Sequence, residues 1–210
     1  MKMIFESCGE LMTKFIFDLD GTVTKEETLP LIAKHFSVEE KIMELTRNTV
    51  DGRVPFIESF IRRVYVLGKL PVSEIADLLG KVRLYESLCN FINTHPENRC
   101  VATGNLADWV CQVNDVVHCE FFCSKANIEN NQVKKLTRIL RKENVVNRYK
   151  AEGHKVVFIG DGNNDVEAMR CADIAIASGL THEPAMSVLS VADYLIYDEE
   201  TLCRQLNQLL

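Results

Sequence analysis

From Lys14 to the C-terminus, short apolar runs that close on glycine, aspartate or asparagine alternate with longer stretches of helical period. The runs are Phe15-Ile16-Phe17, Cys100-Val101-Ala102, Phe121-Phe122-Cys123, Val156-Val157-Phe158-Ile159, Ile174-Ala175-Ile176 and Tyr194-Leu195-Ile196. Strands that are apolar at nearly every position belong to parallel sheets covered on both faces, so the pattern predicts an α/β fold. Between the runs the period predicts helices over Leu106–Asn114, Val133–Tyr149, Val166–Cys171 and Thr201–Leu210.

One region interrupts the alternation. Between Thr24 and about Tyr85 no β-rich run occurs, which predicts a helical insertion. Pro30 follows Thr28 as a helix start, Asp51-Gly52 reads as a turn, and Pro55 opens a helix whose apolar face is Phe56, Phe60, Val64 and Leu67. Ser73 is the expected cap of a last helix carrying Ile75, Leu78, Leu79 and Val82. The expected division is therefore residues 1–24 with 86–210 as an α/β core, and 25–85 as a helical unit inserted into it.

Composition narrows the classes. A chain of 210 residues, 47% hydrophobic and 26% charged, is long enough to bury one substantial core without disulfides or structural metal. Its formal charge of −6 disfavours nucleic acid and anionic membranes as partners. Glu6 and Glu10 break the first fourteen residues, leaving no signal-peptide core, and no run of apolar residues is long enough to span a bilayer. The eight cysteines are scattered through apolar stretches and read as reduced thiols of a cytoplasmic protein; His118-Cys119 with Cys123 lacks the second ligand pair of a zinc site.

The chemistry gathers where the runs end. Asp18-Leu19-Asp20-Gly21-Thr22, Thr103-Gly104-Asn105 and Gly160-Asp161-Gly162-Asn163-Asn164-Asp165 each follow a predicted strand, and the carboxyl ends of parallel strands share one edge of the sheet. Converging carboxylates repel one another unless a cation lies among them, and hard oxygen donors suit Mg²⁺. Simpler motifs fail on spacing. Gly160-Asp161-Gly162 lacks the third glycine of a dinucleotide loop, no Gly-Lys-Ser/Thr follows, and Asp161-x-Asn163-x-Asp165 meets Val166 where a calcium loop needs glycine and Ala172 where it needs glutamate.

Phe17-Asp18-Leu19-Asp20-Gly21-Thr22 together with Gly160-Asp161-Gly162-Asn163-Asn164-Asp165 resembles the haloacid dehalogenase superfamily of phosphatases, over about Lys14 to Leu210. The resemblance implies a Rossmann-like core with a small helical cap of the phosphoserine phosphatase branch. It implies that Asp18 is a nucleophile forming an aspartyl-phosphate and that Asp20 protonates the leaving oxygen and later activates water. Thr103 would hydrogen-bond a phosphoryl oxygen. Asp161 would hold Mg²⁺ with Asp18 and the Asp20 carbonyl, Asp165 supporting the set. Of the lysines upstream of Asp161, Lys142, nineteen residues before it, matches the family's charge-neutralising lysine.

The insertion points to the substrate. Glu27, Phe56 and Arg63 resemble the cap residues that bind the amino group, line the site and clamp the carboxylate of phosphoserine, with Gly104, Asn105 and Asn164 near the phosphate. The other reading of Glu27 and Arg63 is a surface ion pair. Where phosphoserine enzymes read Ser-Gly-Gly, this chain has Thr103-Gly104-Asn105; Asn105 either narrows the site or caps the next helix. The expected activity is a Mg²⁺-dependent phosphomonoesterase on a small phosphorylated metabolite, phosphoserine-like. Phosphoryl transfer, or hydrolysis of a sugar, nucleotide or methylthio-sugar phosphate, uses the same Asp18. A signalling receiver domain is disfavoured because it lacks both a second aspartate two residues after the first and an inserted cap, and a binding protein with a degenerate site is disfavoured because every acidic position is filled. Cap closure is expected about hinges near Thr24–Glu26 and Lys81–Tyr85.

Overall fold

The computed structural model describes residues 12–50 and 53–210. The Asp51-Gly52 turn, the start of the chain and the side chain of Phe56 lie outside the described residues. A seven-stranded sheet runs in the order β4-β3-β2-β1-β5-β6-β7, with β1 (Thr13–Phe17) at its centre. It pairs in parallel with β2 (Arg99–Leu106) on one side and β5 (Lys155–Gly160) on the other, Phe17 lying opposite Val101 and Ile159. β3 (Glu120–Glu129) extends one wing, and β6 (Ile174–Ser178) with β7 (Tyr194–Ile196) extends the other.

Strict alternation along these runs feeds two cores. Phe15, Phe17, Val101, Val157 and Ile159 point to one face, where they meet Phe91 and Trp109; Ile16, Cys100, Ala102, Val156 and Phe158 point to the other, against Val146 and Met169. Phe91 stands edge-on to Phe15 with ring centroids 5.5 Å apart, and it belongs to α5 (Glu86–Thr94), a helix the sequence reading passed over. Flanking helices α6 (Ala107–Asn114), α8 (Val166–Cys171) and α10 (Glu199–Gln208) fall where the period placed them, the last capped by Asp198, which accepts the Thr201 N–H at 2.8 Å; a single turn, α9 (Met186–Leu189), precedes β7. Among the described residues no helix is long and apolar enough to cross a membrane.

Four helices, α1 (Thr28–His35), α2 (Glu39–Val50), α3 (Phe56–Leu67) and α4 (Val72–Leu79), lie between β1 and α5. Phe60, Val64 and Leu67 of α3 are buried together with Ile32, Ile42, Ile75 and Leu79. The chain enters and leaves this group side by side: Thr24 bridges Leu84, Lys25 N–H donates to the Arg83 carbonyl at 2.8 Å and Tyr85 N–H to the Val23 carbonyl at 3.0 Å.

Two expectations are corrected. The predicted helix Val133–Tyr149 is two elements, a strand β4 (Gln132–Arg138) antiparallel to β3 and a helix α7 (Lys142–Ala151). Asn130 and Asn131, at φ 50° and 63°, make a two-residue turn that folds the chain back on itself, a conformation asparagine tolerates better than most residues. Ser73 does not cap α4; Pro71 precedes the helix, and the Ser73 N–H is instead satisfied from outside by Asn131 Oδ1 at 3.0 Å. The hairpin tip thus clasps the α3–α4 connection: Val72 N–H donates to the Asn131 carbonyl and Val133 N–H to the Gly68 carbonyl, both at 2.8 Å, and Gln132 Nε2 donates to the Lys69 carbonyl at 2.6 Å.

Replacing Asn131 by valine forces a β-branched residue into left-handed backbone and removes the side-chain bonds to Ser73. The expected loss is about 2–3 kcal/mol in urea unfolding. Asn131→Gly, which keeps the backbone conformation, is expected to lose less, and equal losses would contradict this account of the turn.

Candidate active site

The sheet continues one residue past β1, where Asp18 N–H donates to the Ile159 carbonyl at 2.8 Å, and this delivers the Asp18 carboxylate to the edge where β2 and β5 also end. Asp18 is 4% exposed; its Oδ1 accepts from the Leu19 N–H at 2.7 Å and meets Lys142 Nζ at 2.5 Å. Lys142, the first residue of α7, is equally buried and also bonds Asp165 Oδ1 at 2.6 Å. The other oxygen of Asp165 accepts the N–H groups of Asp161 and Gly162 at 3.1 and 3.0 Å. Gly160 makes room for this fold-back, since a Cβ there would lie 2.5 Å from Asp165 Oδ2. Asp161 Oδ1 accepts from Thr22 Oγ1 at 3.0 Å.

Asp20 is held on both oxygens. The Thr28 N–H, at the start of α1, donates to Oδ1 at 2.9 Å, and Asn105 Nδ2 donates to Oδ2 at 2.7 Å. Asn105 does not cap α6, whose preceding residue is Leu106; its amide also reaches Thr28 Oγ1 at 2.9 Å, and its backbone N–H donates to Thr103 Oγ1 at 3.1 Å. Thr103 is fully buried inside β2, where the register with β3 shifts.

A cleft of about 390 Å³ joins these groups, and Asp18, Asp20, Glu27, Arg63, Gly104, Asn105, Asp161 and Asn164 all border it. Glu27 pairs with His182, whose Nε2 lies 2.7 Å from Glu27 Oε1, while Arg63 keeps a buried Nε without a hydrogen-bond partner. His182, Phe60, Ile42 and Pro30 also line the cleft; the sequence marked Phe60 and Pro30 only as helix residues and singled out neither His182 nor Ile42. A signal existed for His182: β6 ends at Ser178, so the following Gly179-Leu180-Thr181-His182 stands on the same edge as the acidic turns.

Electrostatically the site is overloaded with negative charge. Burial, then repulsion by Asp165, holds the Asp18 carboxyl well above its ordinary range despite Lys142. Burial and Glu27 push Asp20 up to about 6 against the Thr28 bonds, and burial, Asp165 and Glu27 push Asp161 up to about 7. Burial opposes the charge on Lys142, but Asp165 and Asp18 outweigh it and hold the ammonium above the usual lysine range. Asp18, Asp161 and Asp165 each offer an oxygen within 4.8 Å of the others. One lysine does not neutralise three carboxylates, and this all-oxygen set fits a hard divalent cation.

Removing the buried ammonium by Lys142→Met leaves Asp18 and Asp165 facing each other uncompensated. The expected cost, read by chemical denaturation in chelator at pH 7, is about 3–5 kcal/mol. It should shrink as the pH falls and the carboxyls protonate; a loss that does not vary with pH would show that the charge is not what matters.

The chain is similar to known proteins over most of its length. The phosphoserine phosphatase of Saccharomyces cerevisiae is 28% identical over 179 residues, 78% of this chain and 58% of that protein. The phosphoserine phosphatase of Lactococcus lactis subsp. lactis is 26% identical over 175 residues, 77% of this chain and 81% of that protein. In fold, a substrate-bound phosphoserine phosphatase complex superposes with a TM-score of 0.78 at 20% identity, over 96% of this chain and 100% of the other. The sequence pattern of the haloacid dehalogenase-like hydrolases spans residues 13–173, and the chain is an enzyme of that hydrolase family.

Proposed function

We propose that this hydrolase is a Mg²⁺-dependent phosphomonoesterase that acts on a small phosphate ester, phosphoserine-like, through an aspartyl-phosphate on Asp18. The observation that carries the reading is the placement of Asp18: a buried carboxylate at the end of the central strand, with Lys142 on one oxygen and a second carboxylate, Asp20, two residues on. Phosphoryl transfer demands little covalent chemistry beyond a positioned nucleophile, charge neutralisation and an acid at the leaving group.

Lys142 and the Leu19 N–H occupy Asp18 Oδ1, so attack on phosphorus falls to Oδ2. The ester P–O bond breaks, and the departing oxygen takes the proton carried by Asp20, whose raised pKa of about 6 suits it to hold one near neutrality. Asp20 then removes a proton from a water molecule, whose oxygen attacks phosphorus; the Asp18 carboxylate leaves and phosphate is released. Thr103 and the backbone around Gly104 receive the phosphoryl oxygens. Mg²⁺, when held by Asp18, Asp161 and the Asp20 carbonyl with Asp165 behind them, supplies charge neutralisation to those oxygens. Asn105, by donating to Asp20, sets the direction of its carboxylate.

Residues 25–85 are read as the cap over a core of residues 1–24 and 86–210. Glu27 and Arg63 border the cleft as acceptor for an ammonium and donor for a carboxylate, with Asn164 completing the substrate contacts; Phe56, expected to line the site, has its side chain outside the described residues. The relatives named phosphoserine phosphatases support that choice of ester.

Two measurements test the reading. Phosphate release from phosphoserine, phosphothreonine, sugar phosphates and nucleoside monophosphates is expected with Mg²⁺ and lost in chelator, and Asp18→Asn is expected to lower kcat by at least about 1,000-fold. Full activity of that variant, or no release from any ester, overturns it. Mg²⁺ is also expected to raise the Tm by an amount that depends on pH. The folded-state pKa of Asp161, about 7, lies above the unfolded value near 4, so the metal-free protein gains stability as the pH falls through that window, while the metal needs this carboxylate ionised. The Tm difference between Mg²⁺ and chelator should be largest above pH ~7 and close toward pH ~5; a constant difference contradicts it.

A further inference from the structure

Glu27, Asp161 and His182 converge on one point above Gly21. A Cβ built there would lie 3.0 Å from Glu27 Oε1, 3.1 Å from Asp161 Oδ2 and 3.1 Å from His182 Nε2, and Gly21 adopts a φ of 71° that other residues rarely take. The three donor atoms all lie within 4.8 Å of one another, with His182 Nε2 2.7 Å from Glu27 and 3.4 Å from Asp161. The missing side chain of Gly21 is what lets one nitrogen and two oxygens stand this close together.

The other side of the imidazole decides what the three groups can hold. Nδ1 lies 3.1 Å from the Glu183 carbonyl, which can only accept, so Nδ1 carries a hydrogen, and when the ring is neutral its Nε2 lone pair faces two carboxylates. That arrangement is repulsive until a cation, either a proton or a metal ion, lies among the three. A backbone carbonyl on the far ring nitrogen is also the arrangement that orients histidines on metals. The loop bearing His182 is fixed in advance. Tyr85 Oη donates to the Leu180 carbonyl at 2.6 Å, Thr181 Oγ1 to the Thr24 carbonyl at 3.2 Å, Tyr197 Oη to Glu183 at 2.6 Å and Ala185 N–H to the Asp161 carbonyl at 2.9 Å.

We propose that Glu27, Asp161 and His182 form a second cation site, one that takes a borderline transition-metal ion such as Zn²⁺ through one imidazole nitrogen and two carboxylate oxygens. Three protein ligands with the remaining position open to the cleft is a zinc-like arrangement, whereas Mg²⁺ takes all-oxygen sets. Glu27 immediately precedes α1 and His182 follows β6, so the ion joins the two walls of the cleft. On the reading that Glu27 contacts substrate, Zn²⁺ there inhibits the enzyme, and this consequence alone rests on the proposed function.

The test is a Zn²⁺ titration of the whole chain in saturating Mg²⁺, competed against a chromophoric chelator. The wild type is expected to bind one equivalent more than His182→Asn, with an affinity at that site at least about 10-fold tighter than the variant retains. Any cysteine sites are common to both proteins and cancel. Ring ¹H–¹⁵N correlation spectra of the unmutated protein supply a second readout: Zn²⁺ is expected to shift His182 Nε2 and leave its Nδ1–H in place. Identical titrations, or a His182 resonance that does not respond, overturn the site. Phosphate release is followed in parallel: loss of Zn²⁺ inhibition in His182→Asn supports the site, and failure to release phosphate from any ester counts against the proposed activity while the binding titration still decides the site.

Discussion

A lysine ammonium buried between two carboxylates is the constraint around which the site is organised. Lys142 reaches Asp18 and Asp165 from the start of α7; Asp18 directly follows β1 and Asp165 ends the turn between β5 and α8, so one cation ties β1, that turn and α7 together at the sheet edge. In a low-dielectric setting such a triad is stable only with further hydrogen bonds, and backbone supplies them: Asp161 and Gly162 N–H bind the second oxygen of Asp165, and Leu19 N–H shares with Lys142 the first oxygen of Asp18, whose other oxygen stays available. The glycine at 160 permits the close approach this needs. Burial, and then the negative charge that Lys142 leaves uncancelled, raises the pKa values of Asp18, Asp20 and Asp161, and that uncancelled charge makes the site receptive to a cation.

Most of the fold was readable because the strands are apolar along their whole length. Phe15-Ile16-Phe17 and Val156 to Ile159 feed both cores, a pattern that only a covered parallel sheet supports. The misreading at Val133–Tyr149 has a definite cause. Val133, Leu136 and Leu140 stand three and seven residues apart, which is a helical spacing, but Val133 and Leu136 lie in β4 and Leu140 just past its end, all three only partly buried. The evidence against a helix was local, in Asn130-Asn131, and turn chemistry outweighed period there.

The acidic groups of the site were legible for the same reason as the strands: each follows a run whose end it marks, and parallel strands end together. Residues contributed by loops and helices were not legible from position alone. His182 sits four residues past a strand with no motif around it, and Phe60 looked like one more residue of an amphipathic face. Asn105 was recognisable as a departure, but not its effect, since only the fold brings its amide to Asp20, 85 residues earlier in the chain.

The hairpin clasp has a consequence for how the chain comes to be folded. Ser73, near the start of α4, is bound to Asn131 at the hairpin tip, and 58 positions of sequence separate the two. During synthesis the helices of the insertion leave the ribosome well before the segment that fastens them exists. Until β3 and β4 have emerged and turned back, α3 and α4 are held only by their own apolar faces and by the earlier helices α1, α2 and α6. Final assembly of the N-terminal half of this protein therefore waits on its C-terminal half, and a stalled chain released before the hairpin would expose Phe60, Val64 and Leu67 to whatever binds apolar surface first.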